Sequence, residues 1–154
     1  MKNLKDIIQE RLHINKDTGN HSYNYHPKTR DEFMTVVGKL IKKRGYEADL
    51  NDIDTSEITA MSGLFFKSKF NGDISNWDVS NVEDMNEMFY NSKFTGKKGD
   101  ISKWDVSNVK DMSFMFFNSN FNGDISNWDV SKVKNMWHMF DYSPLEKNPP
   151  KWYK

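Results

Sequence analysis

The sequence predicts an α/β solenoid of four turn-strand-helix coils with an N-terminal helical cap. The main observation is a segment, Ile74–Val82, that returns almost unchanged as Ile101–Val109 and again as Ile125–Val133. The second observation is that the apolar residues of each copy keep the same spacing. One such unit cannot bury its apolar side alone, so the copies are expected to stack around a continuous core.

Two weaker copies extend the repeat in both directions. The segment Leu50–Ile58 precedes the first strong copy by the same interval that separates the last two strong copies, and Trp152 follows Trp128 by that interval as well. The tryptophan slot of the repeat is therefore filled in order by Ile53, Trp77, Trp104, Trp128 and Trp152. The interval between the first two strong copies is longer, because the turn Phe94–Asp100 has three more residues than the turn Phe121–Asp124.

Each copy has the same predicted internal order. Phe70–Asp73 is a turn that contains a glycine, and the following Ile-Ser-Asn-Trp-Asp-Val alternates as a short strand does. Ser80 is a candidate N-cap, with Glu83 three residues later to complete a capping box. A helix is predicted next, because four apolar residues fall on one helical face: Val82, Met85, Met88 and Phe89.

The motif Phe-Asn-Gly-Asp-Ile-Ser-x-Trp-Asp-Val-Ser-x-Val-x-x-Met-x-x-Met-Phe resembles the repeat of the BspA-like leucine-rich-repeat proteins. The resemblance covers roughly Leu50–Phe140 in four copies, and Pro149–Tyr153 resembles the terminal cap of that family. It implies an elongated leucine-rich-repeat-like fold and a protein-binding role, often as a surface adhesin. It implies no catalytic residue.

Three parts of the chain are predicted. Residues 1–48 form the helical cap, residues 49–143 the repeats (49–69, 70–93, 94–120 and 121–143), and residues 144–154 a capping tail. In the cap, a helix over residues 30 to 44 begins at the capping box Thr29–Glu32 and stops at Gly45. Its apolar face is Phe33, Val36, Val37, Leu40 and Ile41. A shorter helix is expected around Leu4, Ile7, Ile8 and Leu12, with a loop over Ile14–Pro27.

Composition excludes several classes of function. The 22 basic and 22 acidic residues give a net charge of zero, and the chain has no cysteine. Disulfides, thiolate metal sites and cysteine catalysis are therefore excluded. The residues after Met1 show no signal-peptide pattern, and no stretch is long and apolar enough to span a membrane. These features predict a cytoplasmic protein (in the host cytoplasm if it is phage-encoded), and the scarcity of arginine argues against direct nucleic-acid binding.

The acidic residues that recur after the tryptophan slot allow two interpretations. Asp54, Asp78, Asp105 and Asp129 would stand above one another in stacked copies. They could bind calcium ions, or each could accept backbone N–H bonds in its own turn; the second interpretation is favoured. The histidines (His13, His21, His26 and His138) lack metal-ligand spacing, and no serine has the partners of a hydrolase triad. We therefore expect no cofactor, no metal and no enzymatic activity.

Residues that differ between copies are the candidates for function, because the scaffold does not need their variety. Phe114, Trp137 and His138 fill slots that other copies fill with Asn, Ser or Glu. Such aromatic residues mark an interface if they are exposed; the open alternative is that they pack against the flanking coil or the tail. The full candidate binding set is Phe114, Trp137, His138, Phe117, Tyr142, Lys110 and Lys134.

The sequence thus predicts a non-catalytic protein-binding module that acts inside a cell. Its most concrete form is a phage or mobile-element inhibitor that blocks a host defence complex, and the alternative is a surface adhesin of the BspA-like type. The expected partner is a protein with an acidic surface, because Lys110 and Lys134 add positive charge near the aromatic residues. The free protein is expected to be monomeric and not to bind a membrane.

Overall fold

The computed structural model describes residues 22–154. The helix predicted around Leu4–Leu12, and residues 14–21 of the predicted loop, lie outside the described residues. The predicted helix over residues 30 to 44 is confirmed by α1, Arg30–Arg44. The Thr29 hydroxyl accepts a hydrogen bond from the Glu32 N–H at its start, and Gly45, with φ 95°, ends it. Phe33, Val37 and Leu40 of α1 are buried in the core.

The repeats do not contain the predicted strands and helices. Within residues 22–154, the only helices are α1 and a three-residue 3-10 helix, Pro144–Glu146. Strand pairing in the same part of the chain is reduced to five isolated parallel bridges, such as Asp84 with Asp111. The predicted leucine-rich-repeat-like α/β solenoid of four turn-strand-helix coils is therefore wrong.

No helix forms in the repeats because each copy contains residues whose backbone has the left-handed conformation, with positive φ. An α-helix needs negative φ at every residue, whereas each copy has two residues with φ between 48° and 63°, placed four positions apart. The backbone instead closes successive four-residue turns, in which the N–H of Met88 donates to the carbonyl of Met85. The left-handed pairs are Gly63 and Lys67, Glu87 and Asn91, Phe114 and Asn118, and His138 and Tyr142.

The predicted N-cap Ser80 has a different role. Its N–H and its hydroxyl both donate to Oδ1 of Asp78, at 3.0 and 2.5 Å. The serine thus closes a local Asx turn and begins no helix.

Backbone hydrogen bonds stack the copies through four turn segments, residues 61–67, 85–91, 112–118 and 136–142. Alternate residues of one segment donate their N–H to carbonyls of the next, over 2.7–3.0 Å. Met85 and Glu87, for example, donate to Asp111 and Ser113. Four such bonds at each of three junctions replace the ladder of a conventional sheet.

The core consists of columns of rings that run through the stack. Phe65, Phe89, Phe116 and Phe140 are stacked at centroid distances of 5.4–5.9 Å. Each indole N–H of the tryptophan column donates to a carbonyl one copy earlier: Trp77 to Leu50, Trp104 to Ile74, Trp128 to Ile101 and Trp152 to Ile125. The residues predicted to face inward (Val82, Met85, Met88 and Phe89) are fully buried. Their burial is confirmed, although the helix assigned to them is wrong.

Candidate protein-binding surface

A second column of rings lies on the outside of the turn segments. Phe66, Tyr90 and Phe117 each follow a phenylalanine of the buried column, and neighbouring rings stack at 4.9 Å. Phe66 is 41% exposed, whereas Tyr90 and Phe117 are half-buried. Adjacent residues point to opposite sides of the turn segment. The first ring of each adjacent pair, such as Phe116, therefore enters the core, and the second, such as Phe117, faces outward.

The fourth copy breaks this outer column. Asp141 occupies the slot of Phe117 and Tyr90, and the next residue, Tyr142, supplies the ring instead. Tyr142 is 71% exposed and meets the ring of Phe117 edge-on at 5.3 Å. The outer column therefore ends in a side chain that has most of its surface in water.

Phe114 joins the outer column to the aromatic residues of the fourth copy. It is half-buried, and its ring lies 6.3 Å from Tyr90, 5.9 Å from Trp137 and 5.2 Å from His138. Trp137 is 67% exposed and lies 4.5 Å from His138. Phe114 therefore packs on its neighbours, whereas Trp137 faces water; that Trp137 marks an interface stays a prediction.

We call this group the outer aromatic patch: Phe66, Tyr90, Phe114, Phe117, Trp137, His138 and Tyr142. The structure brings together all five rings of the sequence-predicted binding set. Sequence reasoning missed Phe66 and Tyr90. The signal that could have found them is their position directly after a phenylalanine of the buried column.

Three residues of the patch have left-handed backbones, namely Phe114, His138 and Tyr142, with φ of 55°, 54° and 58°. A bulky residue in this region is uncommon and costs about 1 kcal/mol relative to glycine. The first copy has Gly63 in the slot of Phe114. The scaffold therefore does not require a ring at this position.

The two lysines predicted for the rim differ in their surroundings. Lys110 Nζ lies 2.7 Å from Oε1 of Glu83, and the hydrogen bond from Lys110 holds the pKa of the Glu83 carboxyl below its ordinary value. The charge of Lys110 is thus balanced on the surface. Lys134 is exposed, three residues before Trp137. Within the patch, His138 Nδ1 lies 2.5 Å from Oδ2 of Asp141.

The recurring aspartates serve as acceptors within their own turns. Oδ1 of Asp105 accepts from the N–H and the hydroxyl of Ser107, at 3.0 and 2.5 Å. These bonds lower the pKa of Asp105. Burial raises the pKa of Asp54, but hydrogen bonds from Ser56 and His26 outweigh that effect, so its pKa is also lowered. This arrangement is the backbone-acceptor role that the sequence favoured.

No site for a metal ion and no membrane helix is found in the described part of the chain. Among residues 22–154, no three His, Cys, Asp or Glu side chains converge as metal ligands. His26 lies 3.4 Å from Asp54, and His13 and His21 lie outside the described residues. Over the same range, every helix falls short of the length and apolar character that crossing a bilayer requires.

The comparisons match the chain to a protein family but to no individual protein. No curated protein and no solved structure matches the chain significantly. A family described as "Mycoplasma protein of unknown function, DUF285" matches residues 35–152, more than three quarters of the chain. The identification with the BspA-like leucine-rich-repeat family is therefore wrong. From the middle of α1 to Trp152, the repeats and their tail are those of another family, and the chain belongs to DUF285.

Proposed function

We propose that this protein is a non-catalytic protein-binding module and that the outer aromatic patch is its contact surface. The observation that carries the proposal is the exposure of Trp137 and Tyr142, 67% and 71%, within a continuous group of rings. Scattered exposed apolar residues need no explanation, but a contiguous group of them is typical of an interface. Tryptophan and tyrosine are also the residues most often found among the strongest contacts of such surfaces.

The packing of the patch supports this role. Phe114 and Phe117 hold the more exposed rings from beneath, at 5.9 Å from Trp137 and 5.3 Å from Tyr142. Rings held in this way lose little conformational freedom when a partner binds, so less of the interaction free energy is spent on ordering. The indole N–H and the phenol hydroxyl can still bond to polar groups of the partner.

The proposed partner is a protein whose contact surface carries carboxylates around an apolar centre. Lys134 is exposed and lies three residues before Trp137 in the sequence, and Lys67 Nζ lies 5.3 Å from the ring centre of Phe66. Opposite charges at the rim of an interface raise the association rate and select the partner. The narrower hypothesis, an inhibitor from a phage or mobile element that blocks a host defence complex, stays a prediction.

The test is the double substitution Trp137→Asn with Tyr142→Asn. Both changes restore residues that other copies have in the same slots, Asn86 for the first and Asn91 and Asn118 for the second. We expect an unchanged circular dichroism spectrum and melting temperature. Binding to proteins captured from host-cell lysate should weaken by about tenfold or more, as for the loss of two anchor residues.

Tyr46→Asn is the matched control, because Tyr46 is an exposed tyrosine (52%) outside the patch. Captured proteins should be quantified by mass spectrometry, and the affinity of those retained by the control should then be measured. If the double variant folds and binds the same proteins with undiminished affinity, the patch is not the contact surface.

A further inference from the structure

The hydrogen-bond ladder between the turn segments has a direction. In the segment 85–91, the N–H groups that leave the segment all point to the following copy, as with Met85 and Glu87. The carbonyls that receive bonds from the preceding copy are those of the alternate residues, such as Asn86 and Met88. In an ordinary parallel strand each edge presents donors and acceptors in turn. Here one edge presents donors only and the other acceptors only.

The two ends of the stack therefore differ in charge character. The first turn segment presents the carbonyls of Ser62 and its alternate neighbours to the N-terminal side. Arg30 of α1 donates to the Ser62 carbonyl at 2.5 Å. A cation thus lies on the acceptor edge, which is the complement expected for a row of carbonyl oxygens.

The last turn segment presents the opposite edge. By their place in the ladder, the N–H groups that face away from the stack are those of Met136, His138, Phe140 and Tyr142, the equivalents of Met112, Phe114, Phe116 and Asn118. Within residues 22–154, none of the four donates to a backbone acceptor. Phe140 is buried under the ring of Tyr153, at 4.9 Å, whereas the other three residues are half-buried or exposed.

A row of N–H groups that share a direction carries partial positive charge, and it selects acceptors. A second copy of the same edge cannot pair with it, because both edges would offer donors. Lys134 is exposed and precedes Met136 by two residues in the sequence, and at the edge itself His138 is paired with the Asp141 carboxyl. Phosphates of a nucleic acid would require several cations along their path, whereas the donors of this edge are uncharged backbone N–H groups.

We propose that the donor edge (Met136, His138 and Tyr142) binds an extended acidic segment of the protein partner, whose carboxylate and carbonyl oxygens accept these hydrogen bonds. The inference rests on the proposed function, because Trp137 and Tyr142 flank the same edge. It adds the binding mode and the chemistry of the bound segment. The aromatic side chains then contact the apolar part of the partner on either side of that segment.

The experiment is an amide NMR titration of the full chain, labelled with 15N, at low ionic strength, where weak charge interactions are least screened. The probe is the capped peptide Ac-(Glu-Gly)4-NH2, and its matched control is Ac-(Gln-Gly)4-NH2. We expect the glutamate peptide to shift the amide protons of Met136, His138 and Tyr142 downfield. The amides of Met112, Phe114 and Asn118 should stay in place, because they already donate to the fourth copy. The glutamine peptide should bind about tenfold more weakly.

Four outcomes would overturn the inference. They are no shift at the three amides, equal binding of the two peptides, shifts confined to the basic end of α1 at Lys42–Arg44, and tighter binding of a short oligo-dT to the same amides. The single variant Trp137→Asn separates the two proposals, because Trp137 is not one of the three residues of the donor edge. It keeps the backbone donors and should bind the glutamate peptide within about threefold of the wild type, since the peptide has no apolar side chain. If the peptide fails to bind the wild type while partner capture depends on Trp137, the proposed function stands and the donor-edge inference falls.

Discussion

The inner and outer columns of rings are built from adjacent residues but have opposite environments. Phe116 of the inner column is fully buried between Phe89 and Phe140, whereas Phe117 of the outer column is half-buried and leads to the exposed Tyr142. The inner slot is a phenylalanine in all four copies. The outer slot changes from Phe to Tyr to Phe to Asp.

The constant inner slot and the variable outer slot distinguish the residues that form the core of the stack from those on its surface. A buried ring must match the ring above and below it, because interiors are close-packed and tolerate little change in volume. An outer ring has water on one side, so its slot can vary without breaking the stack. Variation between copies within one chain therefore points to the side of the stack that faces water.

The largest expected effect on the free energy of unfolding comes from truncating a ring of the inner column, in contrast to a ring of the outer column. Phe116→Ala should lower the free energy of unfolding by about 3–5 kcal/mol, because it leaves a cavity in the buried column. Phe117→Ala should lower it by about 1 kcal/mol or less, because this ring is only partly removed from water. Chemical denaturation of both variants measures the difference. Equal losses would mean that the outer column belongs to the core.

The end of the inner stack should be the next most sensitive place. Trp152 stacks on Trp128 at a centroid distance of 6.5 Å and donates its indole N–H to Ile125 at 2.9 Å. Trp152→Ala should destabilise the protein by about 2–3 kcal/mol, because Trp128 loses its cover and a carbonyl loses its donor. Trp152→Phe, which keeps a ring, should cost about half as much. A melting temperature unchanged in both variants would show that the tail does not cap the stack.

Acid should weaken the scaffold through the aspartate turns. The pKa values of Asp52, Asp54 and Asp105 are lowered in the folded state. A lowered folded pKa contributes stability above the unfolded value, about 4, and that contribution is lost as the pH falls through the folded pKa. The melting temperature should therefore fall mainly below about pH 4.

The variant Asp54→Asn serves as the control for this prediction, because it keeps an acceptor oxygen but has no carboxyl to titrate. Its melting temperature should depend less steeply on pH in the acid range than that of the wild type. An identical acid dependence would remove Asp54 from the explanation.

The smallest expected effect on stability is at Phe114, in the outer aromatic patch. Phe114 has φ 55°, and the first copy has glycine in the same slot. Phe114→Ala and Phe114→Gly lose the same ring, but only glycine removes the strain. The glycine variant should therefore be more stable than the alanine variant by about 1 kcal/mol. The opposite order, by calorimetry, would mean that the left-handed backbone at this position carries little strain.

The spacing of the apolar residues predicted which side chains are buried, but it did not predict the backbone conformation of the repeats. The apolar residues Val82, Met85, Met88 and Phe89 were placed inside correctly, because three- and four-residue spacing puts side chains on one side of either a helix or a series of turns. Spacing alone cannot separate the two backbones. Gly63, Asn91 and Asn118 were the overlooked signal, since glycine and asparagine adopt the left-handed region most readily. Gly63 occupies the first left-handed slot of its copy, and Asn91 and Asn118 occupy the second slot of theirs, a pattern that favours turns.

The candidate site shows the same limit. The sequence singled out Phe114 and Trp137 because they differ from their equivalents, and it added Tyr142 as a neighbour. It assigned Lys110 a free charge, which Glu83 balances at 2.7 Å. The partner of a long side chain depends on which copy lies beside it. That neighbour becomes known only when the register of the stack is known.

The sequence by itself determined the repeat, its regular period with one insertion, the bounds of α1 and the residues that enter the core. Only the tertiary structure decided the backbone between those residues and the direction of its hydrogen bonds. The physical reason is that burial depends on the side chains along one segment, whereas the N–H and carbonyl partners come from the neighbouring copy. Whether residues 85–91 form a helix or a ladder is settled by bonds to residues 111–117, a full copy further along the chain.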